Sequence, residues 1–216
     1  MKLHTGDLSP YSSKVRMQIY AKGITDIKFD LDPSFCQGKF STISPIGRIP
    51  VLDLGDGDII PESEIICEYL EEVYPEPSML GVGPRARAEV RTISRIADIY
   101  LMNNIFMALP QLSRKTRNEA IRDLFVAQVT RGMGALERHI GSGDFAIGNE
   151  MTIADCTLVP ALWMCQNTVP MLDAPNPLDT TTKVAAYWEK IQKNEIAAKV
   201  LAEMERGMQA RLDGSE

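Results

Sequence analysis

The sequence predicts an α/β unit of βαβ–ββα order followed by an all-α unit. Three observations lead there. Over residues 1–80 the apolar positions switch between a period of two and spacings of three and four. From Tyr74-Pro75-Glu76-Pro77 to Gly83-Pro84 the chain is rich in Pro and Gly and has no period, which marks a linker. Beyond it every periodic stretch is helical, so the expected domains are 1–80 and 84–216.

The elements follow in order. Lys2 to His4 is a short strand that ends in Thr5-Gly6-Asp7, and Val15, Ile19 and Tyr20 then fall at helical spacing before Gly23, a natural stop. Ile27, Phe29 and Leu31 alternate with Lys28, Asp30 and Asp32, as in a strand with one buried face. Ile49 to Leu54 meets the turn Gly55-Asp56-Gly57 and a partner at Ile59-Ile60, a hairpin signal. Ile65, Ile66, Tyr69, Leu70 and Val73 form an amphipathic helix that stops before Pro75. In the second part, Arg85 to Leu109 reads as one long helix, and Thr116 with Glu119 as a capping box that opens another running to His139. Gly132 and Gly134 should soften its last turns. Thr152 with Asp155 opens a third helix in the same capping geometry, Val184, Tyr187, Trp188 and Ile191 mark a fourth, and the last runs from Ile196 to about Met208.

Composition narrows the function. With 44% hydrophobic and 24% charged residues the 216-residue chain is a folded protein, and its net charge of −6 offers no attraction to nucleic acid or an acidic membrane face. Cys36, Cys67, Cys156 and Cys165 form no CxxC pair and read as reduced, mostly buried thiols. Only His4 and His139 are present, far apart, which disfavours a histidine metal centre or a Ser-His-Asp triad. The N-terminus lacks an unbroken apolar segment with a cleavage site, and no stretch approaches eighteen apolar residues, so a cytoplasmic location is expected.

Three stretches carry chemistry. Ser9-Pro10-Tyr11-Ser12-Ser13-Lys14-Val15-Arg16 lies in the loop after the first strand and at the start of the first helix. A helix N-terminus has unsatisfied N–H groups and about half a positive charge, so a thiolate held there with a hydroxyl beside it is stabilised. Ser9 and Ser12 equally suit plain capping. In Ser44-Pro45-Ile46-Gly47-Arg48-Ile49-Pro50-Val51, Pro50 begins a strand; a cis bond there leaves the Ile49 backbone able to pair with an extended peptide, and an ordinary trans proline is the alternative. In Pro61-Glu62-Ser63-Glu64, Ser63 either caps the helix or, with nearby N–H groups, holds a ligand carboxylate, Glu62 being available to an ammonium group.

Taken together, in this order and on this element pattern, the stretches resemble the glutathione transferase superfamily over essentially the whole chain. Ser9-Pro10-Tyr11-Ser12 through Arg16 is similar to the active-site motif of serine-type members such as tau-class, zeta-class and bacterial enzymes. Arg48-Ile49-Pro50-Val51-Leu52 resembles the cis-proline segment, Pro61-Glu62-Ser63 the γ-glutamyl-binding segment, and Gly148 to Asp155 the buried capping box of the helical domain. The resemblance implies a thioredoxin-like N-terminal domain and a helical C-terminal domain carrying the acceptor pocket. It implies that Ser9 donates to the glutathione sulfur, with Ser12 as the fallback. Ile49 would pair its backbone with the cysteinyl unit beside Pro50, Glu62 and Ser63 would hold the γ-glutamyl end, and Arg48 and Lys39 are candidates for the glycine carboxylate. Lys14, Lys39 and Arg48 would form a local basic patch. Tyr11 would line the site, and Tyr100, Asn103, Asn104, Met107, Trp163 and Gln166 are acceptor-pocket candidates by helical position, with membership of the core as the alternative.

The implied activity is a detoxifying conjugation: the thiol of glutathione, a co-substrate, is ionised and added to an electrophilic apolar acceptor without a metal. Position 9 is Ser, so mixed-disulfide chemistry is disfavoured. Pro10-Tyr11 stands where zeta-class enzymes have a Ser-Ser-Cys run, which weighs against maleylacetoacetate isomerisation. Glutathione-dependent isomerisation, dehalogenation or peroxide reduction, and a non-catalytic binding protein, are the alternatives. A homodimer through the helix from Arg85 and the Ile65–Tyr69 region is implied as well.

Overall fold

The computed structural model describes residues 1–31 and 43–214. It forms two compact units, Met1–Met79 with Glu195–Glu216, and Leu80–Asn194.

In the first unit β1 (Lys2–His4), β2 (Lys28–Asp30), β3 (Val51–Asp53) and β4 (Ile59–Pro61) make a four-stranded sheet in the order β2-β1-β3-β4. β1 and β2 run parallel, Leu3 opposite Phe29, because α1 (Pro10–Ala21) carries the chain back along the sheet. β3 and β4 are antiparallel, and Gly55 and Gly57 supply the positive φ of their turn, 91° and 103°. Leu3, Val51 and Leu52 are fully buried, as are Val15 and Met17 of α1 and Ile66, Cys67 and Leu70 of α2 (Ser63–Val73). The alternation in the second strand stops at Leu31, which is 49% exposed.

The side of α1 that faces α2 is polar. Lys14, Gln18 and Lys22 recur every four residues against α2. Lys14 pairs with Glu64, Gln18 Nε2 donates to Cys67 O and Glu71 Oε1 at 3.0 Å, and Lys22 Nζ lies 2.8 Å from Glu71 Oε1. The rungs ascend together, so α1 and α2 lie side by side and point the same way. Buried charges persist only when so matched. The other polar side of α1 meets α8 (Glu195–Leu212), through Arg16 and Tyr20 on Glu203. This puts the last helix in the first compact unit and ends the second one earlier than the 84–216 span read from the pattern. No local pattern shows it, since the contact joins residues 187 positions apart.

The second unit contains α3 (Gly83–Ile96), a π-helical stretch Ala97–Met102, α4 (Asn103–Ala108), α5 (Glu119–His139), α6 (Ile153–Thr168) and α7 (Lys183–Ile191). The single helix expected from Arg85 to Leu109 is thus interrupted. At the break Asn104 Nδ2 donates to the carbonyls of Ile99 (2.8 Å) and Tyr100 (3.1 Å), serving backbone oxygens that the wider turn frees. Gly132 of α5 lets Tyr100 and Leu101 approach: a Cβ there would stand 2.7 Å from Tyr100 Cβ and 2.8 Å from Leu101 Cδ2. Its role is close packing, and Gly134, with open space around it, differs. The expected capping box at Thr116 and Glu119 is replaced by Asn118, whose Oδ1 accepts from Ile121 N–H at 3.2 Å. Thr116 belongs to the preceding turn, its N–H donating to Ser113 O.

The box at Thr152 and Asp155 forms as expected. Asp155 is fully buried and accepts from Ala146 N (2.8 Å), Thr152 N (2.8 Å), Thr152 Oγ1 (3.0 Å) and Tyr187 Oη (3.0 Å). Behind it α6 is buried on nearly every side, as its apolar sequence requires. Cys67, Cys156 and Cys165 are buried and in no disulfide; burial pushes the Cys165 thiol up to about 12, so it is inert at neutral pH. Cys36 lies outside the described residues.

Candidate active site at the sheet end

The register of the sheet gathers the three chemical stretches. His4, Val51 and Pro61 lie side by side across β1, β3 and β4. The chain leaves β1 at His4 toward Ser9, enters β3 from Ile49-Pro50, and leaves β4 at Pro61 into Glu62-Ser63. All three therefore emerge at one end of the sheet. Two contacts tighten the convergence: Gly6, where a Cβ would stand 2.8 Å from Ile49 Cδ1, and the Lys14–Glu64 pair between the N-terminal parts of α1 and α2.

Ser9 is the N-cap of α1. Its Oγ accepts from Ser12 N–H at 3.2 Å, and its N–H donates to Gly6 O at 3.2 Å. Capping uses an acceptor lone pair and leaves the hydroxyl hydrogen to donate elsewhere, so the two roles open in the sequence are compatible. Ser12 differs: it is fully buried, and its Oγ has no hydrogen-bond partner among the described residues. Tyr11 is half-buried beside it.

The Ile49–Pro50 peptide is cis, and Ile49 is half-buried while Arg48 is exposed. Ser63 is not the cap of α2 but its first residue, buried at 6% exposure. The N-cap is Glu62, whose side chain makes no capping bond and whose backbone sits at φ 70°, ψ 115°. A non-glycine residue in that region carries strain of about 1–3 kcal/mol, and such residues cluster at binding sites. No side-chain cap thus covers the helix end beside Ser63, which keeps its N–H groups directed at what approaches it.

The expected basic patch is smaller than the sequence suggests. Lys14 is fully buried and neutralised by Glu64, because its position on α1 faces α2. Lys39 lies outside the described residues, which leaves Arg48 as the exposed cation among the described members of the trio. At the sheet end His4, 3% exposed, is held below its ordinary pKa by burial and Lys2, with Asp30 and Asp53 opposing.

Of the acceptor candidates, Tyr100 is half-buried and Asn103 and Met107 are exposed, three residues at helical spacing along the π stretch and α4. The others are engaged elsewhere. Asn104 serves the π-stretch carbonyls, Trp163 is 6% exposed within α6, and Gln166 Oε1 accepts from Trp188 Nε1 at 2.7 Å.

Sequence reasoning assigned no role to Arg16. It is 1% exposed and its five N–H groups are all used: Nε on Glu203, Nη1 on Thr5 Oγ1 and Gly6 O, Nη2 on Asp7 O and Ser13 Oγ. Arg16 stands between Val15 and Met17, and its carboxylate partner Glu203 is too distant in the chain to be read from local pattern. No helix among the described residues is long and apolar enough to cross a membrane.

Comparison with known proteins points to one family. Residues 3–78 match the family model of the glutathione S-transferase N-terminal domain, and residues 119–189 that of the glutathione S-transferase C-terminal domain. The chain is 30% identical over 183 residues to a maleylacetoacetate isomerase of Pseudomonas aeruginosa, covering 81% of this chain and 85% of the relative. It is 26% identical over 206 residues to a stringent starvation protein A homolog of Coxiella burnetii, covering 95% and 93%. Among solved structures, a glutathione S-transferase of Methylobacillus flagellatus with GSH bound superposes with a TM-score of 0.79 at 23% identity, over 92% of this chain and 98% of that one.

Proposed function

The chain belongs to the glutathione S-transferase family, and from that premise we propose that it binds glutathione at this sheet end, ionises the thiol against Ser9, and delivers the thiolate to an electrophilic acceptor. The observation that most supports this is the shared register row His4–Val51–Pro61, which brings a hydroxyl at a helix N-terminus, a cis-proline segment and an uncapped helix end together.

Ser9 donates to the sulfur from its half-buried position, and the burial of Ser12 favours Ser9 over it. Ile49 pairs its backbone with the cysteinyl unit beside Pro50. Glu62 takes the γ-glutamyl ammonium, the α2 end at Ser63 takes the carboxylate beside it, and Arg48, with Lys39, takes the glycine carboxylate. Tyr11 is the acceptor-side candidate of the first unit, and Tyr100, Asn103 and Met107 are those of the second. The energetics suffice. Lowering a thiol from about 8.5 by two units needs about 2.7 kcal/mol of preference for the anion. A helix N-terminus supplies up to about 2 kcal/mol in a partly buried setting and a hydrogen bond to an ion about 1.5–3.

After addition two outcomes are open to the same thiolate. Displacement of a leaving group gives a conjugate, with the thiol proton passed to solvent and the leaving group departing with its electron pair. Addition to an alkene conjugated to a carbonyl gives an enolate, the carbon–carbon bond rotates as a single bond, and expulsion of the thiolate restores the double bond and returns glutathione. The isomerase name of the Pseudomonas relative favours the second outcome, and the Pro10-Tyr11 pair in place of Ser-Ser-Cys favours the first. We further assign a homodimer, through α3 and the Ile65–Tyr69 region, which light scattering tests.

Calorimetric titration with glutathione, together with the thiolate absorbance of the bound tripeptide, tests the reading. Wild type should bind and show the thiolate, and Ser9→Ala should abolish the signal; absence of binding at millimolar glutathione overturns the proposal. Loss of the signal in Ser12→Ala, with Ser9→Ala silent, moves the role to Ser12. A panel of a halogenated aromatic, an epoxide and a maleyl ketoacid then separates conjugation from isomerisation.

A further inference from the structure

The first unit contains a device that the chemistry above does not use: the C-terminal helix grips the loop that carries Ser9. Glu203 of α8 accepts from Arg16 Nε at 2.9 Å and from Tyr20 Oη at 2.7 Å. Arg16 Nη1 in turn donates to Gly6 O at 2.8 Å, and the same carbonyl accepts from Ser9 N–H at 3.2 Å. Arg16 Nη2 reaches Asp7 O at 3.2 Å and Ser13 Oγ at 3.0 Å, while Ser13 N–H donates to Ser9 O at 2.9 Å. The guanidinium thus fixes the residues on both sides of Ser9, and Glu203 fixes the guanidinium.

Two further contacts come from the same face of α8. Arg206 Nε and Nη2 lie 2.8 and 2.7 Å from Asp7 Oδ2. Gly207, one turn after Glu203, lies so close to the loop that a Cβ would stand 2.5 Å from Leu8 N and 3.0 Å from Asp7 C. Positions 203, 206 and 207 therefore all bear on Asp7, Leu8 and the Arg16 hub. A planar five-donor group is needed at that hub, since a lysine ammonium has three donors and cannot span four acceptor residues and a carboxylate in one plane.

We propose that Glu203 is a positioning residue for Ser9, acting through Arg16 and the Gly6 carbonyl, so that the C-terminal helix sets how well the bound thiol is ionised. The inference rests on the assignment of Ser9 above. A hydroxyl that donates to sulfur is effective only within a few tenths of an ångström of its best geometry, and a loop end bound solely through its own backbone would leave that geometry loose.

The comparison that tests it uses two removals at one carboxylate. Glu203→Ala deletes the anchor of Arg16; Tyr20→Phe deletes the other bond to Glu203 and leaves the route from Glu203 to Ser9 intact. The readouts are the apparent pKa of glutathione bound to the full chain, the split between kcat and KM for glutathione, and Tm. Both variants should lower Tm. Glu203→Ala should raise the bound-thiol pKa by about half to one unit, a loss of about threefold to tenfold in thiolate below that pKa, with KM changed less than about threefold. Tyr20→Phe should leave the bound-thiol pKa at the wild-type value. Glu203→Gln, which keeps the side-chain shape, should fall between them and carries the comparison if Glu203→Ala does not fold. A wild-type thiol pKa in a folded Glu203→Ala or Glu203→Gln, or an equal shift in Tyr20→Phe, overturns the proposal and leaves α8 a structural element. Ser9→Ala run in parallel separates the two readings: if it keeps the wild-type thiolate signal, the assignment of Ser9 falls, whereas a Ser9→Ala effect without a Glu203 effect removes the positioning role alone.

Discussion

Removing the Asp155 carboxylate by Asp155→Ala strips the acceptor from three buried donors: Ala146 N–H, Thr152 N–H and the Tyr187 hydroxyl. All lie in residues no more than 5% exposed, so water does not replace the lost partner. Each buried donor left unsatisfied costs about 1–3 kcal/mol. With partial relaxation we expect about 4 kcal/mol in all, a large share of the 5–15 kcal/mol typical of a folded protein. Asp155→Asn keeps one carbonyl oxygen for Ala146 and Tyr187 and turns an N–H₂ toward Thr152 N–H, so about half the loss is expected. The assay is urea unfolding read by tryptophan fluorescence. Both tryptophans, Trp163 and Trp188, belong to the Leu80–Asn194 unit that holds Asp155, so the signal reports on that unit directly. The same loss should lower Tm by about 8–16 °C at 2–4 °C per kcal/mol for a protein of this size. There is also a sign to check against pH. Burial raises the Asp155 pKa, its four hydrogen bonds lower it, and burial prevails. An acid whose folded pKa is raised binds its proton more tightly when folded, so this group's contribution falls as pH rises from the ordinary carboxylate value of 3.8 through the raised one. Asp155→Asn should lack that component. A loss under about 1 kcal/mol in both variants would refute the hydrogen-bond reasoning.

Three further outcomes are expected. Gly134→Ala, in open space on α5, should stabilise by about 0.5–1 kcal/mol, whereas Gly132→Ala, aimed at Tyr100 and Leu101, should destabilise by about 1–3; equal effects in urea denaturation would contradict the close-approach role of Gly132. Glu137 accepts from the N–H groups of Lys183 and Val184 at the start of α7; burial raises its pKa, but these donors outweigh it and the net shift is downward. Its contribution is therefore complete above the ordinary value of 4.5 and is lost as pH falls through the lowered one, and Glu137→Ala should cost at most about 1 kcal/mol at pH 7, discounted for solvent screening, and nothing in the acid limb of a pH–stability profile. Glu62→Gly should relieve the φ of 70°, adding about 1 kcal/mol of stability while weakening glutathione binding; a loss of stability on calorimetry would show that Glu62 is not strained.

Much of the candidate site is legible from local chemistry. The strand-to-helix loop at Ser9, the proline at the head of β3 and the polar opening of α2 are each written in a few adjacent residues, because caps, turns and cis prolines depend on neighbours in the chain. Their meeting at one sheet end was harder to read. It depends on the pairing of His4 with Val51 and Val51 with Pro61, a register fixed by which faces are buried. Readings went astray where a residue's partner was remote. Lys14 looks like an exposed cation until α2 covers it, and the break at Ala97–Met102 is invisible in a periodic sequence because Gly132 and Asn104 accommodate it.

The sequence by itself determined the succession of strands and helices, the Pro- and Gly-rich boundary near residue 80, and the presence of a hydroxyl, not a thiol, at position 9. These rest on periodicity and on the chemistry of single side chains, which adjacent residues suffice to specify. The tertiary structure alone decided which charges are buried and paired, and that the last helix closes on the first loop through Glu203, Arg206 and Gly207. Such contacts are set by the three-dimensional register of two distant helices, and a buried arginine has no sequence signature until its carboxylate and carbonyls are brought within hydrogen-bond reach.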